Sequence, residues 1–500
     1  MEKKTQVIIV GAGPTGVMLA HLLGQKNISV VLVEKEADIF PVTRATHLDA
    51  ETLRNLQMTG LMDELKEYTQ SITYFDVVDE NEKRLFEQAL TNQDTIHHYK
   101  DDCFFDQVYF EKILRKGLAR YSNVQLIVGA EAIDITESDT EVKISLKNQK
   151  EDGVTEVTGD WLIGCDGGRS FVREAMFSQM KEIKPPKDWI LVDTVLNKAG
   201  DASLLPDRFR YYLSDERLTA YAHGFGLNRR WEFELKEGET MPEETVIKSW
   251  IEKFIDLDKI SFLRIKKYTH LSLVTPEWRE NRVFLAGDAA HLMPPFAGQG
   301  LCSGVRDAVN LAWKLADVIQ NKAKTDLLNS YDTERQVQIK HTFNQTHSLM
   351  QVLLADTNVQ KWRRKKQLQS IQLLPPKLKA FLQKSFANPK PLTVGCVDKA
   401  SKLFGQHLPQ FVMAENRLSD DEIGYKWALI YAPSIFAKEG VFLGIENIHL
   451  VPNTDIWEEW LRANRIDFAF IRPDKIIFGA GKIHNWKSVY EEYQKWQINN

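Results

Sequence analysis

The chain has 500 residues, more than one hydrophobic core normally supports, so two or three domains are expected. Hydrophobic residues make up 43% of it and charged residues 27%, a balance typical of folded globular proteins that argues against disorder. The net charge of -5 does not favour nucleic acid or an anionic membrane as a partner.

The first elements follow the pattern of a nucleotide-binding unit. The apolar run Val7–Val10 predicts a strand buried inside a parallel sheet. The sequence GAGPTG follows, then a helix over Pro14–Leu23 and a second buried strand over Ser29–Glu34. A strand, a glycine turn, a helix and a strand within about thirty residues indicate the βαβ unit of a doubly wound sheet.

The central part of the chain has a different pattern. Alternating segments between about residues 185 and 275 predict a mostly antiparallel sheet, which can form the wall of a cavity. Parallel-sheet character resumes with a strand over Val283–Ala286 and a long helix over Leu301–Ile319. Residues 345–390 are expected to be helical. The nucleotide-binding domain is therefore predicted to be discontinuous, with a substrate-type domain inserted in it.

The glycines of GAGPTG have the G-x-G-x-x-G spacing of dinucleotide-binding turns. Gly11 permits the tight turn, Gly13 lets a pyrophosphate approach the backbone, and Gly16 allows close packing of helix on strand. Glu34, at the end of the second strand, is placed to accept hydrogen bonds from a ribose. This context favours a dinucleotide site over a chance glycine turn, but it does not distinguish NAD from FAD.

The segment RVFLAGDAAHLMPPFAGQGLCSGVRDA makes that distinction. It predicts a strand that ends at Gly287-Asp288, a proline-containing loop, and a helix opened by Gly298-Gln299-Gly300. Asp288 can accept hydrogen bonds from a ribityl chain. The N–H groups of Gly300 to Cys302 at a helix N-terminus suit the negative charge of a reduced flavin. An ordinary strand-loop-helix leaves the glycines and prolines unexplained, so the segment favours FAD.

GAGPTG, CDGGRS (Cys165 to Ser170) and GDAAHLMPPFAGQG, in this order, resemble the three signatures of the class A, single-component flavoprotein aromatic hydroxylases. Three further stretches, TRATHLDAETLR (Thr43 to Arg54), RRWEF (Arg229 to Phe233) and PPFAGQGLCSGVRDAVNLAWKL, are similar to the 3-(3-hydroxyphenyl)propionate hydroxylase subgroup. The resemblance implies the p-hydroxybenzoate hydroxylase-like fold. It also implies a thioredoxin-like C-terminal domain.

The expected fold class is therefore α/β, with a discontinuous Rossmann-like FAD-binding domain, an inserted, mostly antiparallel β-sheet substrate domain and a C-terminal thioredoxin-like domain. The expected boundaries are 1–75, 100–182 and 276–345 for the FAD-binding domain, 76–99 and 183–275 for the substrate domain, 346–390 for a helical linker and 391–500 for the C-terminal domain. That last domain has a lone Cys396 and no CxxC, so we expect packing or dimerisation from it rather than dithiol chemistry.

The resemblance also implies site residues. Arg44 and Gln107 match contacts to the diphosphate and ribityl chain, with a surface arginine as the structural alternative for Arg44. Asp166 matches an aspartate linked both to FAD and to NAD(P)H use, with a turn cap as its alternative. The expected cofactor contacts are Gly11, Gly13, Pro14, Thr15, Gly16, Glu34, Lys35, Arg44, Gln107, Asp166, Asp288, Pro295, Gly298, Gly300, Leu301 and Cys302.

The catalytic candidates are less constrained by motifs. The resemblance places Pro295 beside the flavin ring, near the site of oxygen transfer. His47 stands where many relatives carry a glycine, and a histidine near the flavin could act as a base toward a phenol. Tyr211, Tyr212 and His223 are further candidate bases or hydrogen-bond partners, and each could equally be structural.

The resemblance implies an FAD-dependent monooxygenase that uses NAD(P)H and O2 to hydroxylate a small aromatic substrate, phenolic or bicyclic, through a flavin hydroperoxide. Because the sequence has no second G-x-G-x-x-G, we expect the nicotinamide to bind transiently rather than in its own domain. The alternatives are an antibiotic- or polyketide-oxidising enzyme of the same fold and, from another class, a non-catalytic flavin-binding module.

The cysteines and the N-terminus bear on location. Cys103, Cys165, Cys302 and Cys396 lie far apart without CxxC spacing, which argues against a metal site or a disulfide framework and fits a reducing compartment. The apolar run near the N-terminus is too short for a signal peptide or a membrane span. We therefore expect a cytoplasmic protein with no metal and with no membrane or nucleic-acid partner.

Overall fold

The computed structural model describes residues 3–92, 95–99, 101–149, 153–214, 216–355, 357–375, 377–378, 389–415, 417–438 and 448–498. Its strands, in chain order, are β1 (Lys3–Val10), β2 (Val30–Glu34), β3 (His47–Leu48), β4 (Thr69–Ser71), β5 (Tyr74–Asp79), β6 (Arg84–Ala89), β7 (Cys103–Phe105), β8 (Val124–Val128), β9 (Ala130–Glu137), β10 (Val142–Asn148), β11 (Val154–Gly164), β12 (Lys181–Leu196), β13 (Phe209–Leu213), β14 (Leu218–Ala222), β15 (Asn228–Glu234), β16 (Ile260–Val274), β17 (Arg279–Glu280), β18 (Val283–Leu285), β19 (His291–Leu292), β20 (Val412–Ala414), β21 (Arg417–Leu418), β22 (Ala428–Tyr431), β23 (His449–Leu450), β24 (Phe468–Ile471) and β25 (Ile477–Gly481). Its α-helices are α1 (Pro14–Gln25), α2 (Ala50–Gln57), α3 (Met62–Leu65), α4 (Gln107–Gly117), α5 (Phe171–Met176), α6 (Glu244–Glu252), α7 (Gln299–Ile319), α8 (Asn329–Leu353), α9 (Asn358–Gln372), α10 (Ser419–Ile423), α11 (Pro433–Lys438), α12 (Asp455–Asn464) and α13 (Trp486–Gln494).

The first sheet is the Rossmann-like sheet that the sequence predicts. Its strands lie in the order β17-β18-β11-β1-β2-β8, and β10 and β9 extend it from β11. The central strand β1 is parallel to β11 on one side and to β2 on the other, so Val7 lies opposite both Trp161 and Val30. Strand β1 is apolar along Val7–Val10 because both faces of the sheet are covered there.

The second sheet confirms the inserted, mostly antiparallel domain. Its order is β19-β16-β12-β15-β14-β13-β5-β6. Only the pair β13–β5 is parallel among the described strands of this sheet. The strands come from residues 74–89 and 181–292, so the insertion is itself built from separate segments. The domain boundaries given above stay predictions.

The helical region after the second sheet begins earlier than expected. Helix α8 starts at Asn329 rather than near residue 345, and α9 ends at Gln372. Arg335 of α8 donates to Asp307 of α7 in the FAD-binding domain, at 2.7 Å. Leu353, at the other end of α8, packs in one apolar cluster with Trp189 of the substrate sheet. Helix α8 therefore joins the two domains, whereas residues 379–388 of the expected helical region lie outside the described residues.

The C-terminal region forms a four-stranded sheet in the order β23-β22-β24-β25, with β22 parallel to β23 and the other pairs antiparallel. A thioredoxin-like domain is compatible with this sheet but stays a prediction. The region packs on the FAD-binding domain: Arg472 donates to Glu334 of α8, and Arg54 of α2 donates to Asp420. A packing role is thus observed.

Within the described ranges, no helix is both long enough and apolar enough to cross a bilayer. All four cysteines are free and buried. Over the same residues, His, Cys, Asp and Glu side chains form no group arranged to hold a metal ion.

Candidate active site

The first glycine turn is in contact with the CDGGRS segment. Gly11 has φ +103°, and a Cβ on it would lie 2.3 Å from the carbonyl oxygen of Cys165. A Cβ on Gly16 would lie 2.0 Å from the carbonyl oxygen of Gly11. A Cβ on Gly13, in contrast, would meet nothing within 4 Å. Gly11 and Gly16 are thus required for packing, and Gly13 leaves open space in front of the N-terminus of α1, where a pyrophosphate would bind.

Glu34 shapes the same turn and lines the cavity beside it. Its Oε2 accepts a hydrogen bond from the backbone N–H of Ala12 at 2.8 Å. Arg115 donates to the carbonyl oxygen of Ala12 at 3.1 Å, so side chains hold both the backbone N–H and the backbone carbonyl of Ala12. The carboxylate is therefore fixed at the end of β2, where it can accept hydrogen bonds from the ribose hydroxyls of a dinucleotide.

The second glycine segment is held directly against the first. A Cβ on Gly304 of α7 would lie 2.2 Å from Oγ1 of Thr15 in α1, and a Cβ on Gly287 would lie 2.7 Å from the same atom. The buried carboxylate of Asp307 accepts from the N–H of Gly287 at 2.8 Å and bonds to His291 at 2.7 Å. Two turns remote in sequence therefore lie side by side, as binding of one flavin nucleotide requires.

Asp288 and the start of α7 face the cavity next to this contact. The Asp288 residue is exposed to the cavity, and desolvation by the surrounding protein raises the pKa of its carboxyl. Gly298 is the N-cap of α7, with φ +63°. Gly300 and Leu301 line the cavity, so the N-terminus of the long helix points its N–H groups toward a bound ring system.

His47 lies beside this helix start. Its Nε2 is 3.2 Å from Oδ2 of Asp102. Burial alone lowers the pKa of His47, but the hydrogen bond to Asp102 contributes in the opposite direction, and the net pKa is well above its usual value. An imidazolium cannot accept a proton from a phenol. The raised pKa therefore argues against His47 as the base that the sequence suggested.

Gln107 and Arg44 meet in the loop that precedes β3. Oε1 of Gln107 accepts from the N–H groups of Arg44 and Ala45, both at 2.7 Å, and its amide nitrogen donates to Glu111. The Arg44 side chain is 56% exposed and lines the cavity. Arg230 of β15 donates to the carbonyl oxygen of Arg44 at 2.7 Å. Gln107 therefore shapes the loop, and the Arg44 guanidinium, which donates to Glu111 at 3.3 Å, borders the cavity where it could also meet a diphosphate.

Asp166 does cap the following turn. It accepts from Oγ of Ser170 at 2.5 Å and from the N–H of Val172 at 3.1 Å. Burial raises the pKa of its carboxyl. Asp166 also lines the cavity, so capping does not exclude contact with FAD.

One cavity of about 2120 Å³ is bordered by Gly13, Glu34, Arg44, His47, Gln107, Asp166, Asp288 and Gly300. Ordinary ligand pockets measure roughly 300–1,000 Å³, so this one has room for a dinucleotide and a second molecule. Its far wall is one face of the substrate sheet. Residues in register across neighbouring strands line that wall in a row, namely Phe86, Val77, Tyr211, Ala220 and Glu232. Lys266 continues the wall on β16, beyond Leu191 of β12, which is not among the described lining residues.

Most of the expected site residues border this cavity. They are Gly11, Gly13, Pro14, Thr15, Glu34, Lys35, Arg44, His47, Gln107, Asp166, Tyr211, Asp288, Pro295, Gly298, Gly300 and Leu301. Gly16 and Cys302 are absent from its described lining; Gly16 packs against Gly11, and the Cys302 side chain is fully buried.

Tyr212 and His223 do not occur among the described lining residues, and neither is retained as a candidate base. Successive side chains of a strand point to opposite faces, so Tyr211 faces the cavity and Tyr212 packs on Phe254 behind the sheet. Nδ1 of His223 lies 3.0 Å from the carbonyl oxygen of Gly224.

Several cavity residues were missed in the sequence. Trp189, Glu232, His270 and Phe296 all line the substrate end. Burial raises the pKa of the Glu232 carboxyl. The alternation of β13 to β15 was visible in the sequence and could have indicated Glu232, but not which face of the sheet meets the flavin.

Known proteins are similar to this chain in sequence. A family model described as an FAD binding domain matches residues 4–346. A 3-(3-hydroxy-phenyl)propionate/3-hydroxycinnamic acid hydroxylase of Klebsiella pneumoniae subsp. pneumoniae is 31% identical over 95% of this chain and 92% of its own. A hydroxylase of the same name from Escherichia coli (strain SMS-3-5 / SECEC) is 32% identical over 86% of this chain and 78% of its own.

Solved structures share the fold at lower identity. The flavin-dependent monooxygenase PieE, in complex with FAD and substrate, has a TM-score of 0.79 at 17% identity and covers 98% of both chains. The p-nitrophenol 4-monooxygenase PnpA from Pseudomonas putida has a TM-score of 0.69 at 22% identity, over 77% of this chain and 97% of its own. Since the family model spans more than half of the sequence and the hydroxylases match most of it, the chain belongs to the FAD-binding family of flavin-dependent aromatic hydroxylases.

Proposed function

We propose that this enzyme uses NAD(P)H and O2 to hydroxylate a small phenolic ring. One observation carries the proposal: the residues suited to FAD and an aromatic wall of the substrate sheet border the same cavity. The Pro295–Phe296 segment lies between the two ends, and Phe296 packs on Trp189 and Tyr211 of the sheet. The curated relatives named for a hydroxyphenyl acid support the choice of a phenol.

The chain's own residues then have distinct tasks. When bound, FAD supplies the redox chemistry, accepting electrons from NAD(P)H and activating O2. Glu34, Arg44 and Asp288 would hold its ribose, diphosphate and ribityl parts. The N-terminus of α7 and the charged His47 would compensate negative charge on the reduced ring. The aromatic side chains around Phe296 would exclude water from the reacting ring.

The proposal is tested with the purified full-length protein reconstituted with FAD. Oxidation of NADH and of NADPH is measured with phenolic acids, hydroxyquinolines and the corresponding ring compounds without a hydroxyl. We expect a phenol to stimulate oxidation of the coenzyme and to yield a product heavier by one oxygen atom. Coenzyme oxidation that no phenol stimulates, with no oxygenated product, would contradict the proposal.

A larger polycyclic substrate is the second candidate. The cavity continues beyond the sheet along α8 and α9, where Leu349, Val352 and Ile371 line it. That volume is more than a single ring needs. A tetracycline or rifamycin that is oxygenated faster than every monocyclic phenol would favour this candidate.

Location and assembly also belong to the proposal. The four buried free thiols support a reducing compartment, and we propose that the enzyme is cytoplasmic. A homodimer is proposed as its assembly, to be tested by light scattering of the FAD-loaded protein. A monomeric mass at micromolar concentration would exclude the dimer.

A further inference from the structure

Glu232 on β15 presents a carboxyl to the cavity without a protein partner. The residue is half-buried and lines the cavity. Among the residues that the structure describes, none forms a hydrogen bond or an ion pair with this side chain, and its oxygen atoms are not enclosed by protein. A polar group that is partly withdrawn from water and left unpaired costs free energy. We therefore expect the molecule that occupies the cavity to supply a partner.

The nearest cation on the same strand is directed elsewhere. Arg230, two residues before Glu232, donates to Asp193 at 2.7 Å. It also donates to the backbone carbonyl oxygens of Thr43 and Arg44, at 2.6 and 2.7 Å. These bonds hold the substrate sheet against the loop that precedes β3. Glu232 thus keeps its capacity to accept hydrogen bonds close to where the two domains meet.

Tyr268 relates Glu232 to the cofactor side of the cavity. This tyrosine lines the cavity and is 44% exposed, although it is a large aromatic residue. Burial raises the pKa of its phenol, and the carboxylates of Asp288 and Glu232 add to the rise. Tyr268 therefore lies within electrostatic range of both carboxylates. Since Asp288 is assigned to the ribityl chain, Glu232 belongs to the part of the sheet that is close to the expected flavin.

The other side of Glu232 is apolar. Ala220 lies in register between Glu232 and Tyr211, on strands about 4.8 Å apart. The Tyr211 ring stacks on Phe296, with centroids 6.2 Å apart and an angle of 19°. A small side chain thus separates an aromatic group from a hydrogen-bond acceptor. Such a surface suits a ligand that combines an apolar ring with a donor at its edge.

The chemistry of a carboxyl limits which substrate group it can meet. Whether ionised or protonated, it can accept a hydrogen bond. A substrate carboxylate has no proton to donate and is repelled by an ionised glutamate, whereas a ring hydroxyl donates readily.

We propose that Glu232 is a substrate-binding residue whose carboxyl accepts a hydrogen bond from the ring hydroxyl of the aromatic substrate. This bond orients the ring and thereby selects the carbon that faces the flavin. The inference rests on the proposed function, because it assigns the hydroxyl of that phenolic substrate to one side chain.

Replacement of the ligand's hydroxyl by fluorine, which is similar in size but cannot donate, tests this contact. Binding to the FAD-loaded full-length protein is followed by the change in flavin absorbance. The ligand pairs are 3-(3-hydroxyphenyl)propionate with 3-(3-fluorophenyl)propionate, 3-hydroxybenzoate with 3-fluorobenzoate, and 8-hydroxyquinoline with 8-fluoroquinoline. In the unmodified protein we expect the hydroxylated member of at least one pair to bind about tenfold or more tightly, since the fluoro compound leaves the carboxyl unpaired.

Substitutions then locate the contact. Glu232→Leu should bring the two members of that pair to within about threefold of each other. Glu232→Gln, which is closest in shape, should lower the preference at least about threefold and keep part of it, because the amide oxygen still accepts. The matched control is Glu234→Gln. Glu234 is also half-buried on β15 but is not among the described lining of the cavity, so this variant should keep the full preference.

The preference is a ratio within one pair, so a general loss of affinity does not imitate the expected effect. An undiminished preference in either Glu232 variant would overturn the assignment, and so would an unmodified protein that prefers no hydroxylated compound over its partner. The proposed hydroxylation fails separately, through absence of an oxygenated product. Ligand binding without turnover would remove that reaction and still leave the hydroxyl preference measurable.

Discussion

Gly298 and His47 are packed so closely that a Cβ on the glycine would lie 2.7 Å from Nδ1 of the imidazole and 2.9 Å from its Cβ. Gly298 also has the positive φ, +63°, that starts helix α7. One backbone position therefore sets both the direction of the helix N-terminus and the place of the His47 imidazole. In the proposed function these two groups would compensate negative charge on the reduced flavin.

We expect Gly298→Ala to weaken FAD binding at least about tenfold. A left-handed backbone costs a residue with a side chain about 1 kcal/mol or more, and the added methyl must also displace His47. FAD affinity is measured by fluorescence titration of the apoprotein. Gly200→Ala is the control, since a Cβ there meets nothing within 4 Å. Equal affinities of the two variants would contradict the role of Gly298.

Glu34 offers a graded test at the other end of the cofactor. Glu34→Ala removes the acceptor of the Ala12 N–H and of the ribose, so we expect FAD to bind about tenfold more weakly, about 1.4 kcal/mol. Glu34→Gln keeps a carbonyl acceptor and should lose less. The same titration measures both. If the two variants lose equal affinity, hydrogen-bond acceptance is not what Glu34 contributes.

The cofactor half of the site was predictable because its motifs are local. The residues of a glycine turn between a strand and a helix determine the conformation of that turn. Of the expected cofactor contacts, all but Gly16 and Cys302 line the cavity. The two glycine segments are in contact through Thr15 and Gly304, and this contact follows from the fold rather than from either motif alone.

The substrate half was not predictable in the same way. A shift of one residue moves a strand side chain to the opposite face, which is why Tyr211 lies in the cavity and Tyr212 does not. The sequence of strand β16, ISFLRIKKYTHLSLV, does not alternate regularly between apolar and polar residues. Nothing in it therefore indicated that His270 would line the cavity. Which face meets the flavin depends on the packing of two domains, and this is a tertiary property.

Arg54 and Asp420 provide a test of the C-terminal interface. The pair is bidentate, at 2.7 and 2.8 Å, with both side chains no more than 3% exposed. Arg54→Ala leaves a buried carboxylate unpaired and should lower the free energy of unfolding by about 3–5 kcal/mol. Arg54→Met combined with Asp420→Leu should lose much less. Urea denaturation of the FAD-loaded protein measures both.

The control for this pair is Lys66→Ala. The ion pair of Lys66 with Asp63 is exposed, and its loss should leave the free energy of unfolding nearly unchanged. A similar small effect of Arg54→Ala would show that the C-terminal region does not depend on the buried pair.

Glu334 predicts how stability changes in acid. Its carboxylate is fully buried and accepts from Arg472, Lys314 and Asn310. Burial alone raises the pKa of this group, but Arg472 and Lys314 outweigh it and lower the pKa from 4.5 to about 2. Because the folded pKa lies below the unfolded one, the stabilisation is complete above pH 4.5 and is lost as the pH falls toward 2. It amounts to about 3 kcal/mol.

The stability difference between the unmodified protein and Glu334→Gln should therefore be constant near neutral pH and should shrink as the pH falls below 4.5, because the neutral amide has no proton to bind. Urea denaturation at several pH values between 3 and 7 measures this difference. Glu64→Gln, at an exposed position, is the control and should give only a small difference. A Glu334→Gln difference that stays constant down to pH 3 would mean that the carboxylate is not held ionised by Arg472 and Lys314.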